Sequence, residues 1–193
     1  MTHAPKVHPR VRATLVAALL ATGTVAPVRA AEPAIAPERN PPGDIPDSQV
    51  FVTYASPKGY VVKVPEGWSR TEGPAVAAFA SRYDAIAVSV EPAVGPSSVA
   101  EVEAGEVARL AAQDRAISIG GVVATVLPAG RSVKISYASN SELNPVTGKR
   151  IRLENERYVI DGVGRRATLT LSAPAGADNA DQWNLVAGSF RWK

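Results

Sequence analysis

The chain of 193 residues contains no cysteine and one methionine, and its only histidines are His3 and His8. Each shortage excludes a class of chemistry. Without cysteine there is no disulfide framework, no thiol nucleophile and no lipid-modified cysteine to serve as an anchor. With both histidines inside the first eight residues, the rest of the chain lacks the commonest neutral-pH acid–base group. Ser-His-Asp and Cys-His catalysis in their usual form are excluded with it, as are zinc sites built from Cys or His. No Gly-rich strand-to-helix fingerprint occurs, so dinucleotide and P-loop readings fail as well.

Acidic residues are missing from the first thirty positions. "MTHAPKVHPRVR" is basic, "ATLVAALLATGTVAPV" is apolar, and "VRA" places small or apolar residues at Val28 and Ala30. That order reads as a secretory signal peptide over residues 1–30, with cleavage after Ala30. The apolar run is short for a membrane span, which needs about 20 residues. The leader holds Lys6, Arg10, Arg12 and Arg29, so its removal leaves 17 basic against 18 acidic residues. A general basic footprint for nucleic acid is therefore absent. The expected location is secreted or periplasmic, with no lipid anchor and no transmembrane segment after cleavage.

Residues 31–48, "AEPAIAPERNPPGDIPDS", hold five prolines and cannot form a regular helix or a central strand. They read as a proline-rich, semi-extended tether. Residues 49–193 are the right length for one domain with one core. Strand signals crowd this part. "QVFVTYA" and "YVVKVP" flank the turn "SPKG"; "VAAFAS" and "AIAVSVEP" flank "RYD". "GGVVATVLP" and "RSVKISYAS" meet at Pro128-Ala129-Gly130, and "RIRLENERYVI" and "RRATLTLSA" at Asp161-Gly162. Val133, Ile135 and Tyr137 alternate with polar residues, as do Ala167, Leu169 and Leu171, so each strand has one buried face. A helix is expected from Ser98, where Ser98 and Glu101 fit a capping box, with Val99, Val102 and Leu110 facing the sheet. A second is expected near the C-terminus, where Trp183, Val186, Ala187 and Phe190 form one stripe. The fold class is α+β: an antiparallel β-sheet flanked by helices, an α/β/α sandwich.

Four groups could carry function. Asp178, Asn179 and Asp181 lack the spacing, the bend Gly and the distal Glu of a calcium loop. They fit a helix start better, with Asp178 as cap and Asp181 in the first turn, so no metal site is expected. Glu154 and Glu156 share a strand face at roughly 7 Å, a spacing that alone does not make a glycosidase. The tryptophans Trp183 and Trp192 read as packing, while Trp68 after "PEG" is less constrained. Lys149, Arg150 and Arg152 form a small basic edge beside the turn "NPVTG". They are the candidate partner-binding residues, for an anion or an acidic surface; the competing reading pairs them with Glu154 and Glu156.

"GYVVKVPEGW" is similar to the N-terminal hairpin of PsbP-like proteins, in which Y-x-V-x-V-P-x-G-W recurs. "NPVTGKRIRLENERYVI" and "TLTLSAPAGADNADQWNLVAGSFRW" resemble the C-terminal half of its secreted bacterial members. Together these stretches cover most of residues 49–193. The resemblance implies an antiparallel sheet between helices, shared with the Ran-binding Mog proteins. It implies a non-catalytic role, since PsbP supports photosystem II from outside the membrane, and it brings no cofactor and no catalytic motif. Bacterial relatives are exported envelope proteins, often lipoproteins, and the absent cysteine departs from that pattern. The expected function is an exported, non-catalytic binding or assembly module of the bacterial cell envelope. Its partner would be an envelope protein complex or polymer. The alternative is a carrier for an envelope lipid or glycolipid in a crevice between sheet and helix. A hydrolase working without histidine stands third.

Overall fold

The computed structural model describes Met1 and residues 32–193. Apart from Met1, the expected leader lies outside the described residues. Among the described residues ten strands and two helices follow in order. β1 (Phe51–Ser56) and β2 (Tyr60–Pro65) form a hairpin, then come β3 (Ser69–Glu72), β4 (Val76–Ser81) and β5 (Asp84–Pro92). Helix α1 covers 99–111. β6 (Ser118–Leu127), β7 (Gly130–Asn140), β8 (Arg152–Gly162) and β9 (Arg165–Pro174) are successive long strands. Helix α2 (Ala180–Ser189) and the short β10 (Arg191–Trp192) close the chain. No helix among the described residues is long and apolar enough to cross a membrane.

The large sheet has seven strands in the order β3-β4-β5-β9-β8-β7-β6, and a small sheet has the order β1-β2-β10. Every pairing is antiparallel. The four expected hairpins are present. The β8–β9 turn lies two residues beyond the expected Asp161-Gly162, because Gly162 pairs with Arg165 and leaves Val163 and Gly164 as the tip. Gly164 takes a positive φ there, which glycine tolerates without strain.

The period-2 pattern decides which side chains each layer buries. Ile86, Val88, Leu169, Leu171 and Ile160 meet Tyr60, Val62 and Val64 of the small sheet and Val186, Ala187 and Phe190 of the C-terminal segment in one core. On the opposite face α1 covers Val133, Ile135, Tyr137 and Val159 with Val102 and Leu110. The large sheet therefore carries one helix on each face, and α2 shares its face with the small sheet. Each fully buried aliphatic side chain contributes about 1.5–3 kcal/mol.

α1 starts at the expected capping box: the Glu101 N–H donates to Ser98 Oγ (3.2 Å) and the Ser98 N–H to Glu101 Oε2 (2.7 Å). Its middle, Glu103–Val107 around Gly105, is a π-helical turn. That turn carries Glu106, whose carboxylate takes Arg157 at 3.0 Å and also pairs with Arg109. The helix is thus tied to β8 by charge as well as by Val102 and Leu110.

Two local expectations are corrected. The N-cap of α2 is Asn179, not Asp178, and its side chain does not cap the helix. It accepts instead from the Ile45 N–H (2.7 Å) and donates to the Gly43 carbonyl (2.8 Å). Phe190 follows the last helical turn in extended conformation and still packs in the core. The first reflects the segment 32–48, which has no regular structure, as its prolines dictate, yet does not stand clear of the domain. Ile45 is buried, Asp44 accepts from the Asp178 N–H, and Asp47 accepts from Gln182. Glu32 and Pro33 both accept from the Asn140 amide. The segment is a strap rather than a spacer.

Candidate functional site

Turns of an antiparallel meander alternate between the two ends of the sheet, so the β6–β7 and β8–β9 turns share one end, where β5 also finishes. Here the β6–β7 turn, the β8–β9 tip and the 93–98 loop after β5 meet the C-terminal Trp192 and Lys193. Between them lies a groove of about 740 Å³, within the usual ligand-site range of roughly 300–1,000 Å³.

Its floor is locked. The Trp192 indole N–H donates to the Asp161 carbonyl at 2.9 Å, and its ring lies against Gly162. A Cβ at that glycine would sit 2.7 Å from the ring, so only glycine permits the approach. The Arg165 guanidinium stacks over Trp192 at 4.4 Å and donates to the Lys58 and Lys193 carbonyls. One arginine thereby joins the small sheet, the large sheet and the C-terminus. The Asp161 carboxylate accepts from the Ser97 N–H (2.7 Å), the Ser97 hydroxyl (2.8 Å) and Arg166 Nε (3.2 Å).

Over this floor stands Arg131, which has no ion pair or side-chain hydrogen bond among the described residues. It lines both the groove and an adjoining crevice of about 430 Å³ between the start of α1 and the ends of β6 and β7. Val163 on the groove and Val126 on the crevice are almost wholly exposed. The arrangement offers two cations without an ion pair among the described residues, Arg131 and the Lys193 ammonium, beside apolar surface.

Lys149, Arg150 and Arg152 lie at the opposite end of the sheet. They do not form one open patch. Arg150 donates to the Ser141 carbonyl (3.0 Å) and pairs with Glu32 at 3.4 Å. Arg152 donates to the Ala116 carbonyl (2.7 Å) and to Asn140 Oδ1 (3.2 Å). Lys149 alone is exposed. The competing pairing with Glu154 and Glu156 does not occur: Glu156 takes Lys134 at 2.8 Å and the Tyr158 hydroxyl at 2.6 Å. β8 is an inner strand, between β7 and β9.

Glu154 and Glu156 do share a shallow depression of about 330 Å³ with Trp183. Glu156 is already held by a lysine and a phenol, so the pair is not arranged as an acid and a base. The one acid pushed toward neutrality is Asp84. Burial raises its carboxyl to about 7, with the Asn179 amide opposing and Asp44 adding repulsion. It lies beneath the strap, at Gly43 and Asn179, and lines none of these depressions. Among the described residues no three acids or histidines gather as metal ligands.

Arg131, Arg165 and Trp192 were not visible as a group in the sequence. The available signal was positional: "PAGR" and "GVGRR" put arginines beside hairpin tips that the topology brings together.

The architecture is the PsbP/Mog-like fold. The solution structure of cyanobacterial PsbP (CyanoP) from Synechocystis matches with a TM-score of 0.54 at 17% identity, over 78% of this chain and 98% of that one. The Saccharomyces cerevisiae Ran-binding protein Mog1p matches with a TM-score of 0.50 at 9% identity, over 75% of this chain and 96% of that one. LpqN, involved in cell envelope biogenesis of Mycobacterium tuberculosis, superposes more loosely, with a TM-score of 0.45 at 17% identity over 75% of this chain and 90% of that one. No family profile and no curated protein sequence matches the chain.

Proposed function

We propose that the chain is an exported, non-catalytic binding or assembly module of the bacterial cell envelope. The observation that carries this reading is the groove at the hairpin end: a floor fixed by Trp192, Arg165 and Asp161, and an uncommitted Arg131 among exposed valines. A rigid site with a free cation and no paired acid and base suits recognition better than turnover. The fold is compatible, since Mog1p, with the same architecture, is a Ran-binding protein. The basic edge would add a second contact. Lys149 reaches the partner there, while Arg150 and Arg152 hold its loop in place.

A photo-crosslinking residue placed at position 131 or 149 tests this in the native envelope. Position 131 should capture a reproducible partner, and position 149 a weaker product of the same partner. No adduct at either position would overturn the reading.

A second reading, a binder of envelope lipid or glycolipid, is favoured by the crevice beside α1, where Val126 and Val99 flank Arg131. Phosphatidylglycerol vesicles should then raise the melting temperature and phosphatidylcholine vesicles should not, with Arg131→Ser abolishing the difference. Equal behaviour in the two lipids would sink it.

A further inference from the structure

β6 is an outer edge of the large sheet, ten residues long, with β7 on one side only. From Ile117 to Ala129 the chain contains no charged residue. Ile119, Val123 and Val126 are exposed along it. Among the described residues no backbone group of β6 bonds to anything but β7 outside its own strand. Edge strands are normally blunted by brevity, charge, proline or cover. A bulge between Ile119 and Gly121 disturbs the first part of β6. Gly121–Leu127 then runs in regular register with β7.

The regular part is self-complementary. In an antiparallel pair of two copies centred on Ala124, Val122 faces Val126 and Val123 faces Thr125. Each pair lies on one face, because opposed residues in an antiparallel ladder share a face. No like charges meet, and β-branched side chains dominate the contact. We propose that β6 pairs with β6 of a second copy of this chain, giving a two-fold dimer with one continuous sheet of fourteen strands. The absence of charge along the strand and its symmetry about Ala124 select a second copy as the occupant.

Sedimentation of the purified protein should show a monomer–dimer equilibrium that shifts with concentration. Ala124→Lys would set two lysines directly opposite one another and should leave only monomer. Ala124 is exposed, so the variant should keep its circular dichroism spectrum and melting transition. Thr71→Lys on the other edge should leave the dimer unchanged. Because the natural chain has no cysteine, Ala124→Cys provides an independent readout. Directly opposed residues lie within disulfide reach, so mild oxidation should yield a covalent dimer, whereas Thr71→Cys should not. A monomer at every concentration, a dimer that survives Ala124→Lys, or a dimer in which Ala124→Cys fails to cross-link would each overturn the pairing.

Discussion

The two edges of the large sheet are built on opposite plans. β3 has four residues, all exposed, and two of them, Arg70 and Glu72, are charged and paired at 3.5 Å. β6 has ten residues and no charge. β3 shows brevity and charge, two of the usual defences against edge pairing; β6 shows neither. The layers behind them differ too. The β3 half is backed by the small sheet, through Tyr54 against Phe79 at 5.0 Å, whereas the β6 half is clamped by α1 on the other face. A fold that protects one edge and leaves the other bare treats them as different surfaces.

The largest expected effect comes from loosening the β6 half. Leu110, on the sheet-facing side of α1, is fully buried, and Leu110→Ala should cost about 2–5 kcal/mol. If α1 is the clamp, amide exchange should accelerate first in β6 and β7, while β4 and β5 keep their protection. Equal acceleration across all seven strands would erase the distinction between the halves.

On the β5 side the lever is pH. Asp84 opens β5 beneath the strap, and its carboxyl is raised from 3.8 to about 7. The folded state therefore binds the proton more tightly than the unfolded chain. The stability this contributes is fully present below about 3.8 and is lost as pH rises through about 7. Asp84→Asn should remove that loss. It should raise the melting temperature at pH 8 by several degrees, given about 2–4 °C per kcal/mol for a chain of this size, and change it little at pH 4. An increase of equal size at both pH values would show that the carboxyl is not the titrating group.

At the groove, Arg165→Ala removes two bonds to carbonyls and the stack on Trp192. Hydrogen bonds from charged groups are worth about 1.5–3 kcal/mol each, discounted here because the groove is open to water. A loss of about 1–2 kcal/mol is expected, checked by urea denaturation, with β6 association intact. Loss of association in this variant would mean that the hairpin end and the β6 edge are one surface.

What the sequence revealed divides along physical lines. Alternation of apolar residues announced all four long hairpins, and Ser98 with Glu101 announced α1, because these signals are local. β3 was missed because "SRTE" has no apolar period, being exposed on both faces. β10 was missed because two residues carry no pattern. The strap was read as a tether because proline forbids regular structure but does not forbid packing; Ile45 and Asn179, 134 positions apart, meet only in the fold. Lys149, Arg150 and Arg152 looked like one patch because they are neighbours in sequence, while the acceptors that claim Arg150 and Arg152 come from distant segments. Arg131, Arg165 and Trp192 become one site only once the sheet order is known.

The smallest expected effect is the most telling about the edges. Arg70 and Glu72 are largely exposed, and such pairs contribute about 0–1 kcal/mol. Replacing both, as Arg70→Thr with Glu72→Val, should therefore barely change stability, even with loss of the Tyr54 hydroxyl's bond to Glu72 at 3.0 Å. Its consequence should appear in association instead. With the charges gone, β3 keeps only its shortness as a defence, and four residues offer fewer backbone bonds than the seven regular ones of β6. Thr71→Cys in this background should cross-link on oxidation, more slowly than Ala124→Cys does at the other edge. Equal rates would assign the contrast between the edges to charge alone, and no cross-linking at all would assign it to length.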